Sequence, residues 1–129
     1  MITVDTNVWA RYLTNDDPEQ AACALSLLKS ADEVFVPKTV LLELEWVLRA
    51  VYELSAASVL KSLLTVLGLP IVHVEQPEQV ARAIDLYRLG LDFADALHLS
   101  ASDAESTFYT FDAKFQRKGT KLGANVKLP

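Results

Sequence analysis

An α/β fold, a central and mostly parallel sheet of four to five strands covered by helices on both faces, is predicted by three features of this chain. Short, continuously apolar runs alternate with longer segments of helical spacing, and capping residues mark where each helix begins. The 129 residues suffice for one domain, taken as residues 1–129, and leave no room for a second.

The first strand is Ile2-Thr3-Val4-Asp5, followed by a helix from about Asn7 to Leu13. Asn15-Asp16-Asp17-Pro18-Glu19 has the form of a cap and first turn, with Pro18 opening a helix that runs to about Ser30. Val34-Phe35-Val36 is a buried strand stopped by Pro37. The spacing of Val40, Leu44, Val47, Leu48 and Val51 then predicts one long helix. Ser55 caps a helix to about Leu67, ended by Gly68 and Pro70, and Ile71-Val72-His73-Val74 is the third strand. Pro77 opens a helix to about Leu89, Gly90 closes it, and Asp92 caps a helix from Phe93 to about Ala104. Thr107 to Phe111 reads as the fourth strand, leading to Asp112, and Asn125-Val126-Lys127 as a short edge strand.

Just over half of the residues are hydrophobic, with only four glycines and five prolines, which excludes disorder; no apolar run is long enough to span a membrane. The start carries no secretory signal, so a cytoplasmic location is expected. The single cysteine, Cys23, lies among alanines and is expected in the core, and His73 is assigned to structure. A formal net charge of −5 speaks against a nucleic-acid partner, but residues 113–129 hold Lys114, Arg117, Lys118, Lys121 and Lys127 and no acid. That stretch is +5 and the rest is −10. It is either a solvated surface or a rim that attracts phosphates.

Acids at the ends of parallel strands stand where α/β proteins collect their ligands. Asp5 and Asp112 both occupy such exits. If the first and fourth strands are neighbours, their carboxylates converge as a hard divalent cation requires; otherwise each simply caps the helix after it. Glu43 and Glu45 differ in helical phase. With Val40 at zero and about 100° per residue, the apolar stripe spans roughly −20° to 80°. Glu43, near about −60°, borders the stripe and is expected to point inward, whereas Glu45, near about 140°, is expected on the solvated face. Asp92 suits an N-cap, which puts Asp95 in the first turn of its helix, where the helix dipole alone would explain an acid.

These residues fall into motifs: Ile2-Thr3-Val4-Asp5-Thr6-Asn7; Thr39-Val40-Leu41-Leu42-Glu43-Leu44 with Trp46-Val47-Leu48; Asp92-Phe93-Ala94-Asp95-Ala96-Leu97-His98; and Thr110-Phe111-Asp112 followed by Phe115. In order and spacing the chain resembles a PIN domain, a Rossmann-like three-layer fold, and in size and wording the VapC-type ribonuclease toxins of prokaryotic toxin–antitoxin pairs. The resemblance implies that Asp5, Glu43, Asp95 and Asp112 are the four acids of a nuclease site and its metal ligands. Thr6, Asn7 and Thr110 flank them and are placed to orient ligands or water. His98 lies on the same helix as Asp95 and reads as a surface residue.

Four clustered carboxylates repel one another unless protonated or bound to cations. Oxygen-only donors suit Mg²⁺ or Mn²⁺, one or two ions, rather than zinc. Two Mg²⁺ would take the chain from −5 to −1 and make RNA a more plausible substrate. The implied reaction is hydrolysis of an RNA phosphodiester by metal-activated water, with the rim Lys114, Arg117 and Lys118 meeting the phosphates. By resemblance the products carry a 5′-phosphate and a 3′-hydroxyl, and the partners are a cognate antitoxin and a second copy in a homodimer. Leu42 and Trp46 are either part of such a surface or buried in the monomer. Two other readings compete: a phosphoacceptor, receiver-like signalling domain, which wants adjacent acids after the first strand, and a catalytically silent PIN module that only binds partners.

Overall fold

The computed structural model describes all residues, Met1–Pro129, which divide into two units, Met1–Glu75 and Gln76–Pro129. In the first unit the order is β1 (Ile2–Thr3), α1 (Thr6–Thr14), α2 (Pro18–Ser30), β2 (Val34–Val36), α3 (Lys38–Trp46), a π-helical turn (Val47–Val51), α4 (Ala56–Leu67) and β3 (Val72–Val74). The strands form a parallel sheet in the order β1-β2-β3, with Val34 paired to both Ile2 and Val72. The central strand is the most apolar, and Val34 and Val36 are fully buried, as burial on both faces demands.

The helix starts follow from side-chain chemistry. Asp17 accepts from Gln20 N at 3.1 Å with Pro18 at the first helical position, and Ser55 Oγ accepts from Ser58 N at 3.2 Å. Pro37, lacking an N–H, ends β2 and supplies the carbonyl that accepts from Val40 N and Leu41 N as α3 begins. At the other end of α1, Arg11 donates to Asp16 at 2.6 Å, to Gln20 at 2.7 Å and to Tyr52 Oη at 2.9 Å, which ties the α1–α2 turn to the segment after the π turn.

Three expectations for this unit are corrected. The long helix after Pro37 ends at Trp46 and passes into the π turn, where Tyr52 N donates to Val47 O five residues back. The buried stripe is Leu41, Leu44, Glu45 and Leu48, which shares Leu44 and Leu48 with the valine-based stripe but is centred about 60° further around the helix, and Val51 is exposed. Cys23 is exposed, because the buried positions of α2 are Ala21, Ala24 and Leu28.

The second unit comprises α5 (Pro77–Arg88), α6 (Phe93–Ala101), β4 (Phe108–Tyr109), α7 (Ala113–Lys121) and β5 (Val126–Lys127). Helices α5 and α6 pack through Val80, Ala83, Ile84, Ala96 and Leu97, with the Tyr87 and Phe93 rings edge to face at 5.1 Å. Gly90, at φ 101°, takes the left-handed conformation that ends α5. Helix α7 lies on β5, where Gly119 allows the close approach: a Cβ there would stand 2.8 Å from Val126 Cγ2. Phe115 packs on Phe108 at 5.4 Å.

β4 and β5 are also parallel, so the α/β class with parallel strands holds throughout. The hydrogen-bonded ladders nonetheless divide into a three-stranded sheet in the first unit and a two-stranded sheet in the second. β1, β4 and β5 have only two regular residues each, and Asp112 stands three residues past the end of β4 rather than at its exit. Helix α6 likewise stops at Ala101, where Ser102 turns to extended backbone, short of Ala104.

Candidate nuclease site

In the first unit, Asp5 is exposed and is the N-cap of α1, its Oδ1 accepting from Thr6 N at 2.7 Å. The capping reading therefore holds for Asp5, yet the bond occupies only one carboxylate oxygen. Thr6 is 2 % exposed, and its Oγ1 is buried without a hydrogen-bond partner. Asn7 is exposed and lines a mainly apolar cleft with Val8 and Arg11 of α1 and Gln20 and Leu27 of α2.

The two glutamates of α3 exchange the environments expected of them. Glu43 is exposed, and Glu45 is buried at 2 % exposure, with Oε2 accepting from Arg49 Nε at 2.8 Å. Leu41, Leu44 and Leu48 set the helix phase, and Glu45 lies within their stripe. Its burial is sustained by the guanidinium one turn later, which is half-exposed and carries the pair's charge to solvent. The Glu45–Arg49 spacing of four residues was the sequence signal for this pair.

In the second unit, Asp92 is the N-cap of α6, as expected, with Oδ1 accepting from Asp95 N at 3.2 Å. Asp95 is half-buried in the first turn. Burial pushes its carboxyl above the usual carboxylate range, the negative charges of Asp92 and Asp112 add to the rise, and His98 opposes it. His98 is exposed, its ring stacked on Phe108 at 6.3 Å. Asp112 caps α7 through Oδ1, which accepts from Phe115 N at 3.1 Å, while its own N–H donates to Thr110 Oγ1 at 3.0 Å. Thr110 thus supports Asp112 through the backbone and not through the carboxylate.

Lys114, Arg117 and Lys118 are exposed on α7, and Lys118 Nζ donates to Gly90 O at 3.0 Å, so one of the rim cations also closes the α5–α6 turn. Within neither unit do three His, Cys, Asp or Glu side chains stand together as a ready-made metal cage. What the second unit does bring together is Asp95 and Asp112, near enough for the charge of Asp112 to add to the rise of the Asp95 carboxyl. Both donors are carboxylate oxygens, the chemistry that a hard divalent cation takes.

Parallel strands joined through helices, with aspartates capping the N-termini of α1, α6 and α7, define an α/β protein. The family model of the PIN domain matches residues 2–121, and the chain belongs to the PIN domain family. PIN domains are generally nucleases and generally use divalent metal ions. No match was found among curated proteins. No helix is long and apolar enough to cross a membrane.

Proposed function

We propose that this PIN domain is a Mg²⁺- or Mn²⁺-dependent endoribonuclease of VapC type, the toxin of a type II toxin–antitoxin pair. The observation that carries the reading is Asp95, whose carboxyl is raised by burial and by the flanking charges of Asp92 and Asp112 in a chain of a nuclease family. A cation favours the ionised carboxylate that burial and repulsion oppose, so this environment suits a ligand better than a plain first-turn acid. We assign ligation to Asp95 and Asp112, and by their motifs to Asp5 and Glu43. When bound, the cation supplies an activated water and stabilises charge on the phosphate oxygens.

The chain's own residues divide their work to suit this. Asp5 and Asp112 each give one oxygen to a helix N-terminus and keep the second for a ligand. The exposed Glu43 is open to a ligand, whereas Glu45 is committed to Arg49. Lys114, Arg117 and Lys118 follow Asp112 on an exposed face and complement RNA phosphates. For the antitoxin or a second copy we assign Trp46, 53 % exposed, with the half-buried Leu42 one turn before it.

The test is cleavage of single-stranded RNA by purified protein in Mg²⁺, in Mn²⁺ and in EDTA. Cleavage is expected with either metal and none in EDTA. Asp95→Asn and Glu43→Gln should each lose at least about 100-fold, since even partners one shell from a metal cost about 10–100-fold. Wild-type cleavage in EDTA, or by Asp95→Asn protein, overturns the reading.

A further inference from the structure

We propose that Phe111 and Tyr109 form a stacking platform for the bases of an unpaired, single-stranded stretch of nucleic acid lying beside Asp112. The proposal deepens the nuclease reading above and rests on it for the substrate. Phe111 is 90 % exposed, more than any other large hydrophobic side chain of the chain, and Tyr109 is 59 % exposed. Phe108 takes the opposite side, against Phe115 and His98. A strand end that needed only to pack would use Phe108 alone; here two further rings are presented outward within three residues of one another.

The backbone beneath the rings is fixed. Thr110 N donates to Lys127 O at 3.0 Å, Asp112 N donates to Thr110 Oγ1 at 3.0 Å, and Phe115 N donates to Asp112 Oδ1 at 3.1 Å. Phe111 is thus held between two anchored residues, which lowers the ordering cost of binding on its face. Tyr109 is in register with Lys127 in the parallel ladder, so ring and ammonium lie on the same side of the sheet.

The surroundings decide the occupant. After the exposed Asp112, which directly follows Phe111, the exposed charged side chains through α7 are Lys114, Arg117, Lys118 and Lys121, and no acid occurs from residue 113 onward. A protein-docking face is a contiguous apolar patch. Exposed rings set among cations instead match a single strand, whose bases offer π faces and whose phosphates take the positive charge. In a duplex the base faces are already covered by their neighbours, so the ring can be used only where the strand is unpaired.

The test is fluorescence anisotropy of a short fluorescein-labelled oligoadenylate in EDTA, which reads binding without cleavage. Phe111→Ala, whose circular dichroism should match wild type because the ring is exposed, is expected to weaken binding by about 5- to 150-fold, the range that loss of one stacked base gives. Phe111→Leu, apolar but without a π face, should lose as much, and Phe111→Trp should retain affinity. Binding to a duplex of matched length should be the same in all four proteins. The proposal is overturned if wild type does not bind the single strand, if Phe111→Ala or Phe111→Leu binds it as wild type does, or if the loss is equal on duplex. It is also overturned if Phe111→Ala changes only the sedimentation of the protein, which would place the ring in a protein interface. Failure of the nuclease reading shows separately, as Phe111-dependent binding with no metal-dependent cleavage.

Discussion

Removal of Arg49 tests whether Glu45 is a structural acid and not one of the reactive ones. In the native protein the Glu45 side chain is 3 % exposed and the Arg49 side chain 47 %, with 2.8 Å between Oε2 and Nε. Stripping one partner from a fully buried pair costs about 3–5 kcal/mol, and breaking an exposed pair costs about 0–1 kcal/mol. This pair is buried at the acid and wet at the base, so Arg49→Ala should destabilise by about 2 kcal/mol. Glu45→Met removes the carboxylate and keeps its volume within the Leu41, Leu44 and Leu48 stripe, and should be neutral or stabilising. The double variant should then recover most of the loss, because the guanidinium matters chiefly while the carboxylate is there. Urea unfolding followed by far-UV circular dichroism measures all three, with an unchanged slope as the check that only stability moved. Arg49→Ala within about 0.5 kcal/mol of wild type, or Glu45→Met less stable than Arg49→Ala, would refute the reasoning.

Two further expectations concern pH. The folded-state carboxyl of Asp95 is raised, so its charge is a penalty that is absent below the ordinary carboxylate range and grows as pH rises through the folded value; in EDTA, Asp95→Asn should melt higher than wild type at neutral pH and equal it in acid, and a lower melting point at neutral pH would contradict this. The Arg11 guanidinium, helped by Thr14, lowers Asp16 from 3.8 to about 2, so its contribution is present above about pH 4 and is lost as pH falls through about 2; thermal melts of Asp16→Asn should show a flatter acid limb than wild type over that window.

What could be read from sequence was chemistry that acts over three or four residues. Asp17-Pro18, Ser55 and Asp92 start helices as expected, and Asp112 takes the capping role that was one of its two readings, because a cap needs only its own next turn. The phase of α3 was not legible. Val40, Leu41, Leu42, Leu44, Trp46, Val47, Leu48 and Val51 cover most of the helix circumference, so several apolar stripes fit equally well and periodicity could not choose between them. The π turn compounds this, since one extra residue per turn rotates everything after Trp46. Strand pairing was legible as parallel but not in extent, because apolar runs such as Thr107 to Phe111 do not reveal that only Phe108 and Tyr109 enter a ladder. The acids were recognisable by their motifs, whereas their electrostatic company, such as Asp112 acting on Asp95, depends on packing.

The charge distribution turns out to be the least contradictory feature of a nuclease reading for an acidic chain. Gln76–Pro129 carries seven acidic and seven basic side chains, so the whole of the −5 resides on Met1–Glu75, with ten acids against five bases. Within the neutral unit all seven acids lie at or before Asp112, with Arg82 and Arg88 among them, and the other five bases, Lys114, Arg117, Lys118, Lys121 and Lys127, follow it. Asp112 stands at the boundary, as the cap of the helix that carries four of those cations. A divalent ion held by Asp95 and Asp112 would leave this unit net positive. Its attraction for a polyanion would then depend on metal as well as on salt, so the metal that serves the chemistry would also help to recruit the substrate.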